Sequence, residues 1–136
     1  MINALFWNIK GVSKTPNLRR LIRLIHMHNV QFLSICEPKL DVSKLETICL
    51  RLLFDSVMVN MSTDICVFYK SPFVCLLVGS SDQYIALYIH HPSLPGSLVF
   101  FWVHARCSVE ARKDLWKDLL LDKPWLRPWC IGGTLT

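Results

Sequence analysis

Two polar residues, Asn8 and Glu37, each stand directly after a short apolar run, Asn3 to Trp7 for the first and Val30 to Cys36 for the second. A helix between two such runs forms a crossover that sets the strands parallel, with their carboxyl ends on one edge. Open α/β sheets receive ligands at that edge. A carboxylate beside an amide offers the hard oxygen donors that Mg²⁺ prefers. A plainer role fits the same placement: Asn8 starts a turn and Glu37 is a solvated strand end, as loop residues commonly are. On the residues alone, both readings stand.

The other reactive side chains point to packing. The cysteines, Cys36, Cys49, Cys66, Cys75, Cys107 and Cys130, form no C-x-x-C pair, and most sit in apolar runs. Buried free thiols in a reducing compartment account for them better than a disulfide framework. His26, His28, His90, His91 and His104 do not join them at zinc-ligand spacing. His90-His91 ends a strand ahead of Pro92 and reads as a turn. Trp102, Trp116, Trp125 and Trp129 have rings that can stack on bases, but their apolar settings favour core or rim packing.

The elements that must position Asn8 and Glu37 follow from periodicity. Asn3–Trp7 reads as a buried strand, and a loop with Gly11, Ser13 and Pro16 follows it. Asn17 is a candidate cap for a helix that buries Leu18, Leu21, Ile22 and Ile25, turns Arg19, Arg20 and Arg23 outward, and ends near Asn29. Val30–Cys36 is a second strand. Ser43 and Glu46 have capping-box spacing ahead of a second helix. The period then turns extended: Val57–Met61, Ile65–Tyr69, Val74–Gly79, Tyr84–His90 and Leu98–His104 read as strands, with a turn from His91-Pro92 to Pro95-Gly96. Ser108 caps a helix to about Leu121, and Trp129–Ile131 is one more strand entering Gly132-Gly133. This order suits a layered α/β sandwich better than a doubly wound sheet.

With 52% hydrophobic and 18% charged residues, the chain is no disordered segment. Its 136 residues suffice for one domain, and so apolar a small domain raises the expectation of an exposed apolar face. The net charge of +5 is compatible with a phosphate-rich partner such as DNA, or with a solvated basic face and no partner. The start, MINALFWNIKG, lacks the basic head of a signal peptide, and no run of apolar residues is long enough to span a membrane. A soluble intracellular protein is the expectation, and the oligomeric state stays open.

Five segments, in this order and at these spacings, give a resemblance. They are ALFWNIKGV (4–12), IRLIHMHNVQFLSICEPKL (22–40), ICVFYK (65–70), VHARCSVEARKDLW (103–116) and PWCIGGTLT (128–136). Together they resemble the endonuclease/exonuclease/phosphatase (DNase I-like) family, in the branch carried by plant LINE-type retroelements. The resemblance implies a four-layer α/β sandwich, strand–helix–strand at its start and then antiparallel strands, with Mg²⁺-dependent cleavage of phosphodiester bonds. It makes Asn8 the residue beside metal and scissile phosphate, and Glu37 the metal-binding carboxylate. It puts His104 where the family has a Tyr before Ala, so imidazole replaces phenol.

Departures from the family pattern decide the functional expectation. Where the family reads Gly-Gly-Asp-Phe-Asn, the chain has Gly132-Gly133-Thr134-Leu135-Thr136, and a family glycine pair is replaced by Thr63-Asp64. The family's Ser-Asp-His-type motif, with its general base, would follow Thr136. The expectation is therefore one incomplete domain, 1–136, of a partial sandwich: a retroelement-derived pseudoenzyme in which Asn8, Glu37 and His104 are remnants of the site. An active Mg²⁺ phosphodiesterase and a nucleic-acid-binding module without catalysis are the competing readings, and a persisting retroelement role would place the protein in the nucleus.

Overall fold

The computed structural model describes residues 2–8, 15–38, 41–124 and 126–135. The chain runs β1 (Ala4–Asn8), α1 (Thr15–His28), β2 (Phe32–Cys36), α2 (Leu45–Arg51), β3 (Ser56–Val59), β4 (Ile65–Tyr69), β5 (Val74–Ser80), β6 (Tyr84–His90), β7 (Leu98–Ala105), α3 (Val109–Asp122) and β8 (Trp129–Leu135). Sheet A has the order β1-β2-β4-β3 and sheet B the order β5-β6-β7-β8. Two strand pairs are parallel, β1 with β2 and β7 with β8. The remaining pairs are antiparallel.

Burial sorts these elements into layers. Leu18, Leu21 and Ile25 of α1, with Ile48 and Leu52 from α2 and its end, pack on Leu33, Ile35 and Phe68 of sheet A. On the other face, Phe32, Ile65 and Val67 meet Ile85, Leu87 and Trp102 of sheet B. Outside sheet B, Tyr84, Ala86 and Phe101 pack under Leu115 of α3. The result is helix, sheet, sheet, helix, the four-layer α/β arrangement. β2 shows why its sequence is continuously apolar: all five residues are buried, because helices cover one face and sheet B the other.

Local details differ from the sequence reading at several places. Asn17 does not cap α1; the helix is already under way at Thr15, with Pro16 in the first turn, where its missing N–H costs nothing. Asn3 lies ahead of β1 and caps the other end of α1, its side-chain amide donating to the carbonyls of His28 and Asn29. Ser43 makes no cap either; one 3₁₀ turn, Val42–Lys44, leads into α2, and Lys44 takes the cap position without a side-chain bond. Ser108 does cap α3, its Oγ accepting from Ala111 N at 3.1 Å. The Gly11 and Ser13 loop and Trp125 lie outside the described residues.

β3 stops at Val59 instead of Met61 because Asn60 turns its side chain into the chain. Its Oδ1 accepts from Ile65 N, and its Nδ2 donates to Ser62 Oγ and Ser81 O. β8 runs further than the sequence reading, to Leu135, and its glycines explain how. A Cβ on Gly132 would stand 2.5 Å from the Phe6 ring, and one on Gly133 would stand 1.9 Å from the Val103 carbonyl oxygen. Only glycine lets β8 lie this close to β7 and to the aromatic core. Trp102 is fully buried, whereas Trp116 and Trp129 are about half exposed, at 56% and 42%. Cys36, Cys49, Cys66 and Cys75 are buried free thiols, but Cys107 and Cys130 are exposed. Among the described residues, no helix is long and apolar enough to cross a membrane.

Candidate functional site

Parallel pairing builds the site edge. In the β1–β2 register Asn8 is opposite Cys36, so the chain leaves β2 at Glu37 next to the end of β1. β7 and β8 repeat the device in sheet B, where His104 pairs with Thr134. All four strands end on the same side of the sandwich. Asn8 is exposed, and the Glu37 side chain is about one-third exposed.

The structure brings Glu37 and His104 together across the two sheets. His104 Nε2 lies 3.6 Å from Glu37 Oε1, and its Nδ1 lies 2.8 Å from Thr134 Oγ1. Thr134 Oγ1 is also 3.5 Å from Cys36 Sγ. The single hydroxyl proton of Thr134 serves one of these neighbours at a time. The Nδ1 of His104 accepts from Thr134 when it carries no proton and donates to it when it does, whereas 3.6 Å to Glu37 is a charge-pair distance too long for a hydrogen bond. The Cys36 thiol is pushed up by burial, with the Thr134 hydroxyl pulling in the other direction. It is therefore a neutral neighbour near pH 7, not a thiolate ligand.

Glu37 is held in an unusual backbone state. Its φ is 53°, in the left-handed region, while its N–H donates to Asp64 O at 2.9 Å. Thr63, in the turn on the far side of that bond, also has a positive φ, 60°. These are the positions where a non-glycine residue costs roughly 1–2 kcal/mol. Thr63 is one of the pair that replaces two glycines in the resemblance, and it adopts the conformation glycine favours.

Two buried polar residues that the sequence reading missed tie the edge together. Gln83 is 3% exposed; its carbonyl accepts from His104 N, its Oε1 accepts from Arg106 N, and its Nε2 donates to Ala111 O. It fixes the end of β7 to α3. Asn60, 2% exposed, fastens the β3–β4 turn to the β5–β6 turn. The only hint in the sequence was a polar residue bordering each apolar strand, which turns share. Arg106 adds an exposed ion pair with Asp82 at 3.0 Å. His90 and His91 make turn contacts, with Ser97 Oγ and with Ser93 N, and hold no ligand set.

As a metal site, this edge offers Glu37 and Asn8, hard oxygens open to solvent. No group of three or more His, Cys, Asp or Glu that could hold an ion occurs among the described residues. Mg²⁺ is commonly held by one or two carboxylates, water and substrate phosphate. The donors suit that thin arrangement and no closed cage.

Comparison with known proteins bears on the fold. No family profile matches the sequence, and no curated protein matches it. Solved structures do match. The human Nocturnin catalytic domain with bound sulfate superposes with TM-score 0.63 at 16% identity, over 97% of this chain and 63% of that one. An endonuclease/exonuclease/phosphatase family protein from Bacteroides thetaiotaomicron gives 0.62 at 12% identity, over 97% and 62%. The endonuclease domain of TRAS1, a telomere-specific non-LTR retrotransposon, gives 0.58 at 11% identity, over 93% and 56%. The fold is thus the DNase I-like α/β sandwich of the endonuclease/exonuclease/phosphatase proteins. The chain spans less than two thirds of each of these structures.

Proposed function

We propose that this chain is a piece of a Mg²⁺-dependent phosphodiesterase or endonuclease domain, derived from a plant LINE-type retroelement, that has lost catalysis. Likeness of fold to a retrotransposon endonuclease supports the ancestry. The loss rests on one observation, the Thr134 hydroxyl lying 2.8 Å from His104 Nδ1 at the position where the resemblance calls for aspartate. A threonine hydroxyl does not accept a proton from water near neutral pH, so it cannot orient and activate an attacking nucleophile as a carboxylate does.

In this reading Glu37 and Asn8 would hold Mg²⁺, which when bound polarises a phosphoryl oxygen. Exposed Asn8 presents its amide to a phosphate. His104 stands where the family's Tyr acts, with its Nε2 3.6 Å from a Glu37 carboxylate oxygen. DNA is the partner that follows from the ancestry and from the net charge of +5, and a nuclear site would follow if the retroelement role persists. The charge also favours a second reading, nucleic-acid binding without catalysis, since counterion release needs no active site.

Plasmid nicking decides between them and an active enzyme. The natural chain and Glu37→Ala should be indistinguishable in Mg²⁺, because loss of a general base alone costs ~10²–10⁴-fold in rate. Metal-dependent nicking that disappears in Glu37→Ala overturns the proposal. Retention of DNA at low salt that falls away as salt rises supports the binding reading.

A further inference from the structure

Helix α3 separates its charges. Residues three and four apart share a helix face, so Val109, Arg112, Lys113, Trp116 and Leu120 form one stripe, with Lys117 at its border. The acids Glu110, Asp114 and Asp118 fall on the other flank. Leu115 is buried against sheet B.

The basic stripe is open. Val109, Trp116 and Leu120 are exposed at 58, 56 and 70%, as are Lys113 and Lys117. Val109, Arg112, Lys113 and Trp116 line a shallow hollow of about 200 Å³. Among the described residues, the Trp116 ring stacks on no other ring. The ion pairs among them join His104 with Glu37 and Arg106 with Asp82, so no acid pairs with Lys113 or Lys117. The Arg112 guanidinium donates to the Cys107 carbonyl, three residues beyond His104, so the stripe begins beside the Glu37 edge.

These features select a partner. The cations call for an anion, and the acids lie off their face. An open aromatic ring among cations suits single-stranded nucleic acid, whose bases stack on the ring while the cations follow the backbone. A duplex hides its base faces in its own stack. An interfacial membrane helix divides an apolar face from a charged one, whereas here cations and apolar side chains share one face.

We propose that this face of α3 binds single-stranded nucleic acid, with a base on Trp116 and phosphates at Lys113 and Lys117. The assignment rests on the nucleic-acid-binding reading above and requires no catalysis.

Fluorescence anisotropy of labelled oligothymidylate, and of a duplex of equal length, tests this on the whole chain at low salt. The single strand should bind more tightly than the duplex. Trp116→Ala should weaken single-strand binding at least about 5-fold, the lower end of what one base–aromatic stack supplies, and leave duplex binding unchanged. Trp116→Phe keeps a ring and should lose less. Lys113→Gln combined with Lys117→Gln should flatten the log–log salt dependence by about 1.4, from ~0.7 per phosphate contact on a single strand. Arg19→Gln combined with Arg20→Gln removes the same charge from the exposed face of α1 and should flatten it less. Single-strand binding that survives Trp116→Ala, or that responds equally to the α1 pair, overturns the proposal and leaves the nucleic-acid reading standing. Failure to bind either oligonucleotide overturns both. Binding to phosphatidylserine vesicles without binding to oligothymidylate overturns it in favour of a lipid surface.

Discussion

The two sheets have the same number of strands and opposite kinds of surface. Sheet A is covered by α1 and α2, and its central strand β2 is buried from end to end. Sheet B has one helix outside it, and its edge strands stay open: Val74, Leu76, Leu77 and Val78 of β5 are exposed at 54, 61, 55 and 46%. Trp129 and Ile131 of β8, at the other edge, are nearly half exposed. Among the described residues, exposed apolar side chains also occur on the helices and loops, such as Met27, Leu50, Leu53, Leu120 and Leu121, but the edges of sheet B hold a contiguous set of them. Stability therefore concentrates in the interface between the sheets and under α1 and α2, and side chains at the edges of sheet B contribute little.

Substitution at matched positions tests that contrast. The largest effect is expected for Phe32→Ala, which empties the centre of the inter-sheet core and should cost about 3–5 kcal/mol in denaturant unfolding. Leu76→Ala, on exposed β5, should stay within about 0.5 kcal/mol. Comparable losses at the two sites would mean that β5 is covered in solution, and the contrast between the sheets would fail.

The contrast sharpens at the site edge, where buried polar residues take over from apolar ones. Gln83→Ala leaves the Arg106 amide and the Ala111 carbonyl to find other partners, while the His104 amide keeps the backbone carbonyl of residue 83. It should destabilise the chain by about 1–3 kcal/mol, and amide exchange at the end of β7 should rise before exchange in β2. Uniform exchange across both sheets would deny Gln83 its local role.

Thr63→Gly should act in the opposite direction. A β-branched residue at φ 60° is strained, so glycine there should raise stability by up to about 1 kcal/mol. A loss of stability on this change would show that the Thr63 side chain contributes more than its backbone costs.

Much of this architecture was legible in the chain itself. The 3.6-residue period placed α1 and α3, and alternation or apolar runs placed the strands, because those patterns report which side of an element is buried. Ser108 was readable as a cap because an extended Ser ahead of a helix satisfies a free N–H. Asn17 and Ser43 carry the same chemistry and do not cap, since chain entry at Thr15 and the 3₁₀ turn at Val42 are set by what precedes them. The positions of Asn8 and Glu37 at strand ends were likewise visible, as the crossover requires parallel strands to finish on one side, while that of His104 came from the resemblance.

Contacts between the sheets were not visible. Glu37 and His104 are 67 residues apart in the numbering, and no local pattern indicates that they lie 3.6 Å apart. Thr134 reads as a simple loss until the β7–β8 register sets it against His104. Gln83 and Asn60 look like turn residues until burial leaves their amides to satisfy backbone groups from other elements. The sequence by itself indicated which apolar runs form buried strands and roughly where each element lies, because those patterns follow from neighbours along the chain. Tertiary structure alone decided which ends meet, because sheet-on-sheet packing brings together residues whose separation in sequence carries no periodic signal.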